Sequence, residues 1–184
     1  PTDEQQAVCS AILSDAKKGF STHLLYGVTG SGKTLVYCRI TQEMARRGKG
    51  VLILTPEIAL TATALAWFRG FFGDAATVIH SAMSDSERME SWLGIRSGKY
   101  PIVIGPRSAL FAPIPNLGCI IVDEEHDGSY KQNDPSPRFH GRDAAIMRAK
   151  ILNIPILLGS ASPSLESYKN AESGRYKLHH LTRR

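Results

Sequence analysis

The run Gly27-Val28-Thr29-Gly30-Ser31-Gly32-Lys33-Thr34 has the residue types and spacing of a phosphate-binding loop, G-x-x-x-x-G-K-[ST]. The chemistry it suits is the cradling of a polyphosphate. Glycines let backbone N–H groups crowd around phosphate oxygens, and a helix starting there adds its positive dipole end. Lys33 would lie against the β- and γ-phosphates, and Thr34 would offer its hydroxyl to Mg²⁺. A second run, 119–126 (CIIVDEEH), delivers acids after an apolar strand-like stretch. That is the layout of a Walker B element. Asp123 would hold Mg²⁺ opposite Thr34, and Glu124 would orient or deprotonate the attacking water. Hydrolysis of a nucleoside triphosphate needs both, an ion to neutralise phosphate charge and a group to place the nucleophile. The plain alternatives are a Gly/Ser-rich turn and an acidic turn after a strand.

Those residues act together only if regular elements bring them to one place. Hydrophobic patterning predicts strands over 22–26, 51–55, 77–80, 102–105, 119–122 and 154–158, with 176–181 a candidate for one more. It predicts helices over 4–16, 33–47, 59–71, 85–97, 142–152 and 164–172, the second with Val36, Ile40 and Met44 on one face. The alternation implies an α/β fold, a mainly parallel sheet of about six to seven strands with helices on both faces. Ligands of such sheets bind beyond the carboxyl ends of the strands, and both runs above follow a strand. The polar segment 127–140 (DGSYKQNDPSPRFH), with Pro135 and Pro137, breaks the alternation. Loops of that length are functional or disordered.

The chain has 184 residues, enough for one domain with a substantial core, and is 42% hydrophobic and 21% charged. No apolar run is long enough to span a bilayer as a helix. A net charge of +5 fits an anionic partner such as nucleic acid, as it fits basic proteins that bind none. Cys9, Cys38 and Cys119 lie far apart and form no C-x-x-C pair, so they read as small buried hydrophobes in a reducing compartment, with no zinc site in this chain. The chain opens in mid-motif and stops on a basic run, which suggests a fragment.

The box DEEH is of the DExH type that marks superfamily 2 helicases and translocases. Around it stand TPEIALT at 55–61, HSAMSDSER at 80–88, GPRSALFAP at 105–113, DEEHDGSYKQ at 123–132, RFHGRD at 138–143, GSASPSLES at 159–167 and a closing KLHHLTRR. In these blocks, in order and over essentially its whole length, the chain resembles the PriA family of primosomal replication-restart helicases. The resemblance implies a RecA-like P-loop NTPase lobe over residues 1–184, the first of two motor lobes. The second lobe, its zinc-binding insertion and an N-terminal DNA-binding region would lie outside this chain. The implied activity is ATP hydrolysis coupled to 3′→5′ movement on single-stranded DNA at stalled forks. The implied cofactors are ATP and Mg²⁺, with zinc only in the part of the family protein missing here. The implied partners are single-stranded and forked DNA, single-strand-binding protein, the restart primosome proteins and the second lobe in cis, without a membrane. The implied location is the bacterial cytoplasm, at the nucleoid.

Residue roles also follow from the resemblance. Gly105-Pro106-Arg107-Ser108 and Thr55-Pro56-Glu57 match motifs that face the DNA strand. Gly159-Ser160-Ala161-Ser162 matches the motif that links hydrolysis to strand movement, and His126 matches the box histidine that connects the ATP site to it. Segment 130–140 matches an aromatic-rich segment that couples DNA contact to ATPase activity. Gln5 is the candidate adenine-reading glutamine, with Gln6 the competing choice. Tyr130 and Phe139 suit stacking on unpaired bases, or anchoring of their loop to the core. Arg107, Lys131, Arg138 and Arg142 suit salt-sensitive phosphate contacts, or plain solvation. His126 has a structural alternative as a hydrogen-bonded histidine; His80 reads as strand-end packing, and His179-His180 as solvent or edge strand. Pro106 stands where the family has threonine, Ser162 replaces a threonine, Pro137 an aromatic and Phe139 a tyrosine. Two other readings are a different superfamily 2 DNA-repair translocase and a non-catalytic fork-binding adaptor. Without the second lobe's arginines, the lobe alone is expected to bind Mg–ATP weakly, hydrolyse it slowly and not unwind DNA.

Overall fold

The computed structural model describes residues 2–134 and 136–182. Pro135 of the polar segment and the closing Arg183-Arg184 therefore lie outside the described residues. The α-helices are α1 (Asp3–Asp15), α2 (Lys33–Arg46), α3 (Ala62–Phe72), α4 (Asp85–Arg96), α5 (Gly141–Ile151) and α6 (Leu165–Glu172). The strands are β1 (Ser21–Gly27), β2 (Gly50–Leu54), β3 (Ala76–Val78), β4 (Ile102–Gly105), β5 (Leu117–Val122), β6 (Lys131–Gln132), β7 (Phe139–His140), β8 (Pro155–Ser160) and β9 (Lys177–Leu181).

Seven strands form one sheet in the order β3-β4-β2-β5-β8-β1-β9, every neighbouring pair parallel. Each central strand is buried on both faces, and its residues alternate between two cores. Leu24, Leu52, Leu54, Ile120 and Val122 face a core closed by Ile95 of α4, Ala145 and Ala149 of α5 and Ala171 of α6. Leu25, Val51, Ile53, Ile121 and Leu157 face a core closed by Val8 and Ile12 of α1, Val36, Ile40 and Met44 of α2, and Phe68 and Phe72 of α3. The period-2 strand pattern thus feeds two helical layers, as parallel sheets require. Cys9, Cys38 and Cys119 are buried and free. Among the described residues no helix is long and apolar enough to cross a membrane.

The sequence expectation of a parallel sheet with helices on both faces matches this fold, with local differences. α3 starts at Ala62 rather than at residue 59, because Pro56 opens a short 3₁₀ turn, Glu57–Ala59, and Thr61 then caps the helix through Ala64 N (3.2 Å). β3 stops at Val78, two residues early. Segment 127–140 is not a structureless loop: Asp127 caps a turn at Gly128–Tyr130, and β6 pairs antiparallel with β7. β9 is an edge strand in parallel register with β1, which confirms the last candidate.

Candidate functional site

The strand order does the gathering. β5, β8 and β1 are consecutive, so their carboxyl ends set the acidic box, the 159–162 segment and the glycine loop side by side on one rim. β2 and β4 continue that rim, with Leu54 opposite Val122 and Gly105 opposite Leu54. Segments 55–57 and 105–108 therefore join the same edge.

The glycine loop leaves β1 at Gly27 and enters α2 at Lys33. Gly30 and Gly32 take positive φ (83° and 87°), a conformation only glycine adopts freely, and Gly32 caps α2 without a side chain. No side-chain oxygen therefore caps the first-turn N–H groups of α2. Ser31 N donates back to Val28 O (3.0 Å), closing the loop, and Ser31 Oγ is buried with no partner among the described residues. Thr29 is exposed, and Val28 faces solvent at 44%. Lys33 Nζ donates to Gly27 O (2.9 Å) and lies 3.8 Å from Glu124 Oε1. The two predicted runs, far apart in sequence, therefore meet at one point.

The acidic turn is held from several sides. Asp123 N donates to Leu54 O (2.8 Å), and Glu125 N donates to Gly159 O (3.0 Å). Between them Glu124 takes φ 45°, a left-handed conformation that a glutamate adopts only when its surroundings impose it. Asp123 Oδ1 accepts from the Tyr37 hydroxyl (2.9 Å). Burial pushes the Asp123 carboxyl up; the Tyr37 hydrogen bond offsets this, and the charge of Glu124 adds to it. Burial, with Asp123 beside it, pushes the Tyr37 phenol well above its ordinary range, so Tyr37 stays a neutral donor. Thr34, Tyr37, Thr55 and Asp123 line a cleft of about 380 Å³ that Trp67 and Phe68 of α3 close.

The 159–162 segment reaches the same turn through His126. Its Nδ1 lies 2.7 Å from Ser160 Oγ and its Nε2 3.3 Å from Ser162 Oγ, while Ser162 N donates to Ser160 Oγ (2.9 Å). Ala161 N approaches Glu124 Oε2 (3.5 Å). Gly159 has a local reason to be glycine: a Cβ there would collide with the Tyr37 hydroxyl.

Tyr130 and Arg142 are placed differently from the sequence reading. Tyr130 is fully buried, and its hydroxyl donates to Asp123 O (2.7 Å). It anchors the loop and offers no face to a base. Arg142, expected as a phosphate contact, is buried and ion-paired to Glu125 at 3.0 Å, because a cation in that core needs a carboxylate partner. Gln5 is buried beneath the loop: Nε2 donates to Ser31 O (3.2 Å) and Oε1 accepts from Thr2 N (3.0 Å) in a capping box, so its amide braces the loop. Gln6 is exposed and accepts from Arg39 (3.4 Å). Arg107 donates to Ser129 O (3.1 Å) and sits 5.8 Å from the Phe139 ring centre, which meets Phe111 edge-on. Ser108, Lys131 and Arg138 are exposed, and Phe139 is half-buried. His179 is not merely edge strand: its Nε2 lies 3.0 Å from Nδ1 of the buried His23.

Two participants, Tyr37 and Glu125, were missed by sequence reasoning. Tyr37 lies one turn beyond Lys33, a polar-tipped residue on the otherwise apolar stripe of α2, and that was a readable signal. Glu125 is 0% exposed, with Oε1 accepting from Ser164 N (2.7 Å) and Oε2 from Arg142, Ser164 Oγ and Ser167 Oγ. Its companions lie 17 to 42 residues away, and no local pattern marks them.

Comparison with known proteins agrees with this geometry. A family model described as "Type III restriction enzyme, res subunit" matches residues 1–164. The chain is 50% identical over 182 residues to the replication restart protein PriA of Chlamydia pneumoniae, covering 98% of this chain and 24% of that protein. It is 45% identical over 187 residues to that of Bacillus subtilis, covering 100% and 23%. The chain thus spans about a quarter of the length of these curated relatives. A solved structure of RecG bound to a three-way DNA junction superposes with TM-score 0.68 at 22% identity, covering 100% of this chain and 24% of that one, a likeness of fold. The chain thus resembles the replication-restart proteins over nearly its whole length and has a RecA-like fold. The chain belongs to the family of the type III restriction enzyme res subunit.

Proposed function

We propose that this chain is the ATP-binding motor lobe of a PriA-like 3′→5′ DNA helicase that restarts replication at stalled forks. The observation that carries the reading is the meeting of Lys33 with Glu124, beside Asp123, at the mouth of the glycine loop. The neighbouring His126–Ser160–Ser162 contacts give that site a mechanical outlet.

The residues fit Mg–ATP. Ser31 Oγ is an orphaned buried hydroxyl inside the loop, the first turn of α2 has no side-chain cap, and Asp123 is a half-buried carboxylate lining the same cleft as Thr34, where a dication would stabilise it. Gly27 to Thr34 would hold the phosphates, with Thr34 and Asp123 as the Mg²⁺ ligands. When bound, the ion supplies neutralisation of developing phosphate charge. With nucleotide bound, Lys33 would exchange its contacts with Gly27 O and Glu124 for phosphate oxygens, leaving Glu124 to orient water. Tyr37 keeps Asp123 pointed at the cleft.

The strand would run along the rim at 55–57, 105–108 and the β6–β7 hairpin, where Arg107, Lys131 and Arg138 offer charge and Phe139 a ring edge. Phosphate contacts of this kind position a strand without reading its sequence. Single-strand-binding protein and the restart primosome proteins would be partners of such a protein in the bacterial cytoplasm, and a zinc-binding insertion and a second lobe would be further parts of it. The test is unwinding by the full-length protein on forks bearing only a 3′ or only a 5′ single-stranded arm along which to load. ATP-dependent unwinding from the 3′-arm fork is expected; equal unwinding from the two would contradict the directional motor.

A further inference from the structure

Glu125 carries the geometry of the acidic box beyond the nucleotide. Its neighbours in sequence, Glu124 and His126, face the ATP site and the 159–162 segment, whereas its own side chain turns inward, fully buried, and gathers two other elements. Ser164 and Ser167, at the start of α6, both donate to it. Arg142, in the first turn of α5, pairs with it at 3.0 Å, donates to Ser164 Oγ (2.7 Å), and donates through Nε to Asp143 (2.8 Å). A cation in the first turn of a helix opposes the helix dipole, so this arginine is not there to stabilise α5. A buried ion pair also contributes little net stability over an apolar pair of similar size. Its specific effect is geometric: it locks three elements at one point.

Those elements have distinct surroundings. α5 begins directly after β7, whose hairpin carries the exposed Lys131 and Arg138. The Arg107 stem packs on Gly141 so closely that a Cβ there would lie 3.0 Å from Arg107 Cγ. Arg142 is the next residue. A displacement of Arg107 or of the hairpin therefore reaches Glu125 through one residue of backbone, and Glu125 is covalently next to Glu124, whose φ of 45° is held by the contacts on either side.

We infer that the Glu125–Arg142 pair is the positioning link through which a strand bound at Arg107 and the 131–140 hairpin sets the Glu124 carboxylate for hydrolysis. This rests on the motor reading above. Glu125 touches no nucleotide; it acts by fixing the backbone on which Glu124 stands.

The test uses the full-length protein. ATPase rates with and without oligo-dT, oligo-dT affinity and thermal midpoint are measured for wild type, Glu125→Gln, Arg142→Met and the double variant. Each single variant strands a buried charge or its partner and loses stability. The double variant removes both charges and regains the midpoint to within a few degrees. The expected result is that the double variant binds oligo-dT within threefold of wild type, while its ratio of stimulated to basal ATPase falls at least tenfold. Hydrogen exchange gives a readout that needs no double variant. Saturating oligo-dT without nucleotide should change exchange in peptides spanning 122–128 and 161–168 of wild type. The inference is overturned by a stably folded double variant with the full stimulation ratio, or by unchanged exchange at 122–128. A wild-type protein whose ATPase ignores DNA would sink the motor reading itself, and is recognised because the failure lies in wild type.

Discussion

His23 offers a quantitative test of the structure at the far side of the sheet from the nucleotide. It is 0% exposed on β1, with Nδ1 3.0 Å from His179 Nε2 and Nε2 near Ser21 Oγ (3.1 Å) and Asp15 Oδ2 (3.3 Å). Burial, with the neighbouring His179 and Lys177 adding to it and Asp15 opposing, lowers its pKa from the ordinary 6.5 to about 4. His179 is itself lowered by burial and by Lys177, and Asp15, which burial would raise, is held low by Lys177. Because the folded pKa of His23 lies below the unfolded one, the unfolded chain binds the extra proton between the two values. Stability is then fully present above pH 6.5 and is lost as pH falls towards 4. Linkage from these two values gives a loss of about 2 kcal/mol at pH 5 and about 3 kcal/mol at pH 4, relative to neutral pH. The assay is urea denaturation of the 184-residue chain from pH 4 to pH 8, beside His23→Gln. The variant carries a fixed penalty for the altered packing but lacks the titrating ring. The gap between wild type and variant should therefore shrink by those amounts on acidification. A gap that stays constant across the range would refute the reasoning.

Other outcomes follow from the same geometry. Gly159→Ala drives the Tyr37 hydroxyl off Asp123, and loss of a hydrogen bond to a charged group costs about 2 kcal/mol, so the thermal midpoint and the ATPase rate should fall together; an unchanged midpoint would show that the Tyr37 contact is dispensable. Asp123→Asn should raise the unfolding midpoint at neutral pH, since burial has pushed that carboxyl up and its charged form is the costly one, and the gain should vanish as pH drops through the carboxylate range, while Mg²⁺-dependent hydrolysis is lost. Calorimetry and phosphate release at two pH values check both halves.

Periodicity and spacing exposed much of this molecule and concealed a definite remainder. Strands buried on both faces, such as β2 and β5, are runs of large apolar residues that no other element needs, so they are legible, as is the rim where the motif residues gather. A rule that reads faces does not read partners. It places His23, Tyr37 and Glu125 in buried elements but cannot say that they meet His179, Asp123 and Arg142, because those contacts depend on the order in which distant strands pair. The same gap explains Arg142, whose charge suggested phosphate and whose environment is a carboxylate, and Tyr130, whose ring suggested a base and whose hydroxyl holds Asp123. Chain ends of helices shifted where a turn residue outcompeted the helical pattern, as Pro56 and Thr61 did before α3.

Under the proposed function, Lys33, Asp123 and Glu124 form the hydrolytic half-site of a DNA-driven motor. Its most direct test is the steady-state ATPase of the full-length protein, with and without single-stranded DNA, beside Lys33→Ala and Glu124→Gln. The expected result is a wild-type rate that rises on adding DNA, and a loss of at least about 100-fold in each variant, the scale of removing one preorganised charge-stabilising or water-placing group. Equal rates in all three proteins would contradict it.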